Sequence, residues 1–157
     1  MMDTIKVGVV GATGYAGSEI CRLILGHPQA ELAAISSVSF EGMALSEVYP
    51  AYRQVCDLVC GTQDQVVEKS DVIFAALPHG LSQDLAAQCH ESGKTFIDMG
   101  ADFRLESEAA YQEWYGGQYK DKVLHEEAVY GLPEFFREKI KGKKIIANPG
   151  CYTTAVP

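Results

Sequence analysis

Three glycines in Gly11-Ala12-Thr13-Gly14-Tyr15-Ala16-Gly17 follow the spacing G-x-x-G-x-x-G, and the backbone they free could hold a pyrophosphate. Gly11 permits a sharp turn, Gly14 lets backbone N–H groups approach phosphates, and Gly17 lets the following helix sit close to the sheet. The start of that helix adds partial positive charge for the same anion. Three glycines can also form a tight turn with no ligand. The flanks favour the ligand: Ile5 to Val10 is rich in β-branched residues, and Tyr15, Ile20, Leu23 and Ile24 fall on or near one helical face. The spacing is not G-x-x-x-x-G-K-[ST], which sets aside a triphosphate P-loop in favour of a dinucleotide.

Cys151 is the second chemical candidate. It follows an apolar stretch through Asn148-Pro149-Gly150 and stands where a helix should begin. A helix start favours thiolate, the reactive form, and its N–H groups could hold an oxyanion. A lone cysteine is usually packing, but one at the carboxyl edge of a dinucleotide-binding sheet reads as a nucleophile. Arg104, in Ala101-Asp102-Phe103-Arg104-Leu105, could grip a phosphate or carboxylate with its planar fork; an ion pair with Asp98 or Asp102 fits the spacing equally well. Leu77-Pro78-His79-Gly80 ends a buried run where open α/β sheets bind ligands. For His79, contact with a cofactor is placed ahead of acid–base chemistry, and a hydrogen bond to a loop carbonyl would explain it as well.

The elements that must position these residues alternate along the chain. A helix is expected over 15–25, closed by Gly26 and Pro28, and a strand over 31–36. Residues 40–65 carry little pattern beyond a short strand near Leu58-Val59. A helical turn over 64–69 and a strand over 71–77 follow, then a helix over 81–92 and a strand over 95–99. A short helix over 108–115, a helix starting at Pro133 and a last strand over 144–147 lead to Cys151. This alternation predicts a Rossmann-type, doubly wound, mainly parallel α/β sheet with helices on both faces.

Cofactor choice falls at the end of the second strand, where an acidic residue would hold an NAD ribose. Ser36-Ser37-Val38-Ser39 stands there instead, and small hydroxyls accept a 2′-phosphate, so NADP is favoured. The 157 residues carry 47% hydrophobic and 22% charged side chains with net charge −8, ordinary for one globular domain. With no basic block, nucleic acid is not expected as a partner. Nor is a membrane, since runs such as 72–78 are far too short to span one. The start, Met-Met-Asp-Thr-Ile-Lys, has no signal core and suggests a cytoplasmic protein. Five scattered cysteines argue against a disulfide framework. Cys56 and Cys60 have no second pair at zinc spacing, so no metal site is expected.

Taken together, Gly11 to Gly17, Leu77 to Gly80, Ala101 to Leu105, Tyr130-Gly131-Leu132-Pro133-Glu134 and Ala147 to Thr154 resemble N-acetyl-gamma-glutamyl-phosphate reductase, the NADPH-dependent enzyme of arginine biosynthesis. The first motif is shared with aspartate-semialdehyde dehydrogenase; the last two are more specific to the reductase. The resemblance implies that Cys151 attacks the acyl-phosphate carbonyl and expels phosphate, and that hydride from NADPH reduces the resulting thioester to N-acetyl-glutamate semialdehyde. It places Gly11, Thr13, Gly14, Tyr15, Ala16 and Gly17 at the pyrophosphate, Ser36 and Ser37 at the adenosine ribose, Leu77, Pro78, His79 and Gly80 near the nicotinamide, and Arg104 at the departing phosphate.

The sequence departs from that family where Val38 replaces a usual basic residue, Met43 a common Lys, Gly100 a usual Ser and Thr153 a usual Pro. Family members also continue for about one further domain, which supplies substrate contacts, a homo-oligomer interface and the acid–base histidine. None of His27, His79, His90 or His125 matches that histidine's motif. The expected division is therefore 1–150 as an NADP-binding Rossmann domain and 151–157 as the start of the catalytic-cysteine helix. A reductase represented by its cofactor half and a nucleotide-binding module without turnover of its own are the two functional classes this supports. An NADP sensor has no need of the Asn-Pro-Gly-Cys element.

Overall fold

The computed structural model of the chain describes residues 4–156; Met1 to Asp3 of the expected start and Pro157 of the range 151–157 lie outside the described residues. The chain divides into two compact units, one up to Ala76 and one from Leu77.

In the first unit, β1 (Ile5–Val10), β2 (Ala30–Ser36), β3 (Cys60–Gly61) and β4 (Val72–Ala75) lie in the order β3-β2-β1-β4, and every pair is parallel. Val7 to Val10 are buried one after another rather than alternately, as in a parallel strand covered on both faces. The covering helices are α1 (Tyr15–Leu25) and α3 (Gln63–Lys69), which both pack on β1 and β2. A capping box at Thr62 and Gln65 starts α3. Gly26 caps α1 with φ −93°, so the left-handed freedom of glycine is not used there. Between β2 and β3, α2 (Leu45–Val48) and a 3-10 turn over Pro50–Tyr52 occupy the stretch that carries little sequence pattern. The expected strand at Leu58-Val59 starts two residues later, because Val59 pairs antiparallel with Ala44 instead.

In the second unit, β5 (Thr95–Asp98), β6 (Val129–Tyr130) and β7 (Ile145–Ala147) lie in the order β5-β7-β6, again all parallel. Phe96, Phe103, Tyr111 and Ile145 are buried at its centre, with the Phe96 and Phe103 rings edge to face at 6.3 Å. Around them run α4 (Gln83–Glu91), α5 (Glu108–Tyr115), α6 (Lys122–Glu127), α7 (Pro133–Ile140) and α8 (Cys151–Ala155). Pro133 opens α7 as expected, and α7 kinks at Phe136. The helix α6 and strand β6 are additions to the sequence reading. Asp121 caps α6 by accepting from the N–H groups of Val123 and Leu124. Strands linked through helices to parallel neighbours give the Rossmann-type α/β class that the sequence predicts.

Candidate functional site

The candidate residues fall into two groups, one in each unit. In the first unit the chain leaves β1 through Gly11, whose φ is +80° and where an added Cβ would lie 2.4 Å from the Ala76 carbonyl oxygen. The N–H groups of Gly11 and Ala12 both donate to the Ser36 carbonyl, at 3.1 and 3.0 Å. A Cβ at Gly17 would lie 2.1 Å from the Gly11 carbonyl oxygen, so no side chain fits between α1 and the turn. Gly14 differs: the nearest atom to its Cβ position is 3.4 Å away. The fold does not require glycine there. Gly14 is the N-cap of α1, contributes no side-chain cap, and no acid follows in the first turn. Tyr15 and Ala16 are exposed beside it. Uncapped helix N–H groups beside a position kept bare for no packing reason suit an anion such as the pyrophosphate of a dinucleotide.

Two tyrosines from the poorly patterned stretch fasten this turn and the helix that follows it. The Tyr49 hydroxyl donates to the Thr13 carbonyl at 2.6 Å, and the Tyr52 hydroxyl donates to the Ser18 carbonyl. The Thr13 and Ser37 hydroxyls are 2.6 Å apart. Ser36 and Ser37 are buried, whereas Val38 is 88% exposed and Ser39 is also exposed. The first two residues after the β2 core thus face inward and the next two outward.

The second unit opens on Leu77, Pro78, His79 and Gly80. Gly80 has φ +85° and its N–H donates to Asp102 Oδ1 at 2.6 Å; the Ser82 N–H donates to Asp102 Oδ2 at 3.0 Å. Asp102 is fully buried and also accepts from the Tyr111 hydroxyl at 2.9 Å. Asp102 therefore holds the His79 turn in place through main-chain contacts, a role absent from the sequence reading. Burial, first, and the Asp102 carboxylate push the Tyr111 phenol well above its ordinary range. The His79 ring is exposed and lies 5.9 Å from the Tyr115 ring.

At the end of β5, burial pushes the Asp98 carboxyl up, opposed by the Ser82 hydroxyl, the Gly100 N–H and the Arg104 charge. Asp98 Oδ1 accepts from Gly100 N–H at 2.9 Å, while Oδ2 has no hydrogen-bond partner. Arg104 directs Nε to the Asn148 carbonyl and Nη2 to the Met99 carbonyl, each at 2.8 Å. Its fork thus meets main-chain oxygens, not the carboxylates of Asp98 or Asp102. Arg104 also borders a cavity of about 510 Å³ lined by Phe103, Ser107, His125, Tyr130 and Phe136.

Cys151 is the first residue of α8 and is exposed, whereas Cys21, Cys56, Cys60 and Cys89 are buried. Burial pushes the Cys21 and Cys89 thiols up to about 12, which leaves them inert as nucleophiles. The turn before Cys151 is held by Asn148 N–H donating to the Asp98 carbonyl at 2.8 Å. The Gly150 carbonyl accepts from the hydroxyls of Thr153 and Thr154, at 2.8 and 2.9 Å. Among the described residues, no group of three or more His, Cys, Asp or Glu side chains is placed to hold a metal ion.

His125 stacks between Tyr119, with centroids 3.4 Å apart, and Phe103, at 4.5 Å. Its Nε2 is 3.3 Å from Gln83 Oε1, and its Nδ1 is buried without a partner. Burial pulls the imidazole down to about 4, against the opposing pull of Asp102, Asp121 and Glu108. The unfolded chain takes this proton first as pH falls, so this contribution is full above about 6.5 and is lost on acidification from about 6.5 toward 4. The melting temperature is expected to fall from pH 7 to pH 5, and His125→Phe is expected to flatten that fall; equal slopes in both proteins would contradict this assignment.

Comparison with known proteins gives the family and the fold. Residues 6–143 match the family described as semialdehyde dehydrogenase, NAD binding domain. The chain is 53% identical over 152 residues to an N-acetyl-gamma-glutamyl-phosphate reductase of Clostridium beijerinckii, covering 97% of this chain and 44% of that protein. Another, from Brachyspira hyodysenteriae, is 47% identical over 159 residues and is covered to 45%. The chain thus spans under half the length of these curated relatives. Aspartate semialdehyde dehydrogenase with NADP from Candida albicans shares the fold over 97% of this chain and 44% of its own, with TM-score 0.69 and 21% identity. Among the described residues, no helix is long and apolar enough to cross a membrane.

Proposed function

Since the chain belongs to the semialdehyde dehydrogenase NAD-binding family, we propose that it is the cofactor-binding part of an NADPH-dependent N-acetyl-gamma-glutamyl-phosphate reductase of arginine biosynthesis. The observation that carries this reading is Cys151: of five cysteines it alone is exposed, and it stands at a helix start directly after β7. Residues 1–150 form the NADP-binding Rossmann domain, and Cys151 opens the helix that presents the nucleophile. The remaining length found in the relatives supplies the substrate and dimerisation region. The protein works in the cytoplasm as a homo-oligomer.

Gly11, Gly14 and Gly17, with Thr13, Tyr15 and Ala16, bind the pyrophosphate on the first N–H groups of α1. Ser36 and Ser37 shape the strand end that meets the adenosine ribose, and Leu77 to Gly80 lie toward the nicotinamide. The Cys151 sulfur attacks the acyl-phosphate carbonyl carbon; the carbon–sulfur bond forms and the carbon–oxygen bond to phosphate breaks. Arg104 stabilises the leaving phosphate. The dinucleotide, when bound, supplies the hydride that reduces the thioester carbon. The resulting thiohemiacetal oxyanion re-forms its carbonyl as the carbon–sulfur bond breaks, which releases the semialdehyde and the Cys151 thiolate.

NADP is preferred over NAD because no acid stands at the end of β2 to repel a 2′-phosphate. Val38 is exposed at that edge, so Val38→Arg costs the fold little and adds a charge-assisted contact. A gain of about 1–1.5 kcal/mol, roughly 5- to 13-fold in the NADP/NAD affinity ratio, is expected. Calorimetric titration with both dinucleotides tests the reading. Tight binding of NADP by the native chain supports it, whereas binding of neither dinucleotide, or preference for NAD, overturns the cofactor assignment.

A further inference from the structure

We infer that Arg104 is a positioning residue whose guanidinium sets the turn that presents Cys151. The main-chain carbonyls of Met99 and Asn148 end parallel neighbours: Met99 follows β5 and Asn148 follows β7. The Asn148 N–H on the Asp98 carbonyl is the last rung of the β5–β7 ladder, and past it no main-chain hydrogen bond among the described residues joins the two loops. Arg104 bridges them, with Nε on Asn148 and Nη2 on Met99 at 2.8 Å each. A planar fork holds two carbonyls with donors fixed in spacing and direction, whereas an ammonium offers rotatable donors on one nitrogen. The guanidinium lies along the turn, since Nη1 is 3.4 Å from the point a Gly150 Cβ would occupy. The opposite side of Asn148 is tied through its N–H to the Asp98 carbonyl at 2.8 Å. Asn148 is thus held on both sides three residues before Cys151, and Pro149 stiffens the link between them.

This inference rests on the reading of Cys151 as the nucleophile. It adds that the arginine governs the cysteine through the main chain, separately from any contact with a substrate phosphate. Cys89 serves as an internal reference, being fully buried in the same unit. General loosening would expose Cys89, while loss of a local clasp would act on the Cys151 turn alone.

The test compares iodoacetamide labelling of Cys151 and Cys89, resolved by peptide mass spectrometry, in the native chain, Arg104→Lys and Arg104→Ala. Amide hydrogen exchange at Asn148 is followed in the same samples. Arg104→Ala is expected to slow Cys151 labelling at least five-fold and to speed Asn148 exchange at least ten-fold, with Cys89 labelling unchanged. Arg104→Lys is expected to fall between, and added guanidinium ion to restore Arg104→Ala toward native values. Unchanged Asn148 exchange in both variants would overturn the inference. Faster labelling of Cys89 in both variants would also overturn it, since the arginine would then serve general stability. If native Cys151 reacts no faster than a cysteine in an unfolded peptide, the nucleophile reading fails on its own, and Asn148 exchange still decides the positioning role.

Discussion

In a polypeptide extended to the length of the curated relatives, Cys151→Ala is expected to abolish phosphate-dependent reduction of NADP by N-acetyl-glutamate semialdehyde. The loss should be at least about 10⁴-fold, the scale seen when a covalent nucleophile is removed. Among the described residues no other thiol can substitute, because Cys21, Cys56, Cys60 and Cys89 are buried. The 157-residue chain by itself is expected to bind cofactor and show no measurable turnover. Acyl transfer needs a group to manage protons, worth roughly 10²–10⁴ in rate, and the histidines here are engaged elsewhere. His125 is locked in a ring stack and His79 faces Tyr115. His90 faces Glu127 at 3.6 Å, and His27 Nδ1 accepts from the Gln29 N–H. Substrate orientation, worth roughly 7–11 kcal/mol in favourable cases, would also come from the remaining length. Turnover by the purified chain, abolished by Cys151→Ala, would show that the site is complete without it.

Gly14→Val and Gly17→Val are expected to fail in different ways. At Gly17 the new Cβ would lie 2.1 Å from a main-chain oxygen and 2.8 Å from the Ala12 Cα. Neither atom can move without opening the turn, so a cost of at least about 3 kcal/mol is expected, a large part of a typical domain's stability. At Gly14 the backbone has φ −77° and ψ 166°, a conformation open to valine, and the atom nearest an added Cβ is 3.4 Å away. Gly14→Val should melt close to the native temperature yet bind NADP at least about 100-fold more weakly, because the isopropyl group occupies the approach to the helix start. Calorimetry paired with thermal melts separates the two cases. Native affinity in Gly14→Val would mean that the dinucleotide lies elsewhere.

The contrast between these glycines marks how far the sequence could be read. The β1–turn–α1 unit was legible because its signals are local: β-branched residues, glycine spacing, then helical period. The bounds of α1 and of α5 agree with the expected ones for the same reason. The stretch from 40 to 65 was not legible because its order is tertiary. Tyr49 reaches Thr13 across 36 residues, and no periodicity encodes that reach. Arg104 shows the same limit at the candidate site. From sequence its partners had to be charges, yet the fork meets two carbonyl oxygens, and every residue offers a carbonyl. In Ser36-Ser37-Val38-Ser39 the residue types suggested a hydroxyl-lined edge, but the strand end turns the first two serines inward and leaves Val38 and Ser39 outward. Asp102 looked like a possible ion-pair partner and is instead an acceptor for two main-chain N–H groups.

The most direct test is to trap the acyl group. A polypeptide extended to the length of the curated relatives is mixed with N-acetyl-gamma-glutamyl phosphate without reduced cofactor, quenched in acid, digested and examined by mass spectrometry. The proposed reaction requires an N-acetylglutamyl thioester on the Cys151 peptide, formed with release of one phosphate and discharged on addition of NADPH. A peptide that stays unmodified while NADPH still reduces the substrate, or an acyl group found on a different residue, would contradict the assignment of Cys151 and the mechanism built on it.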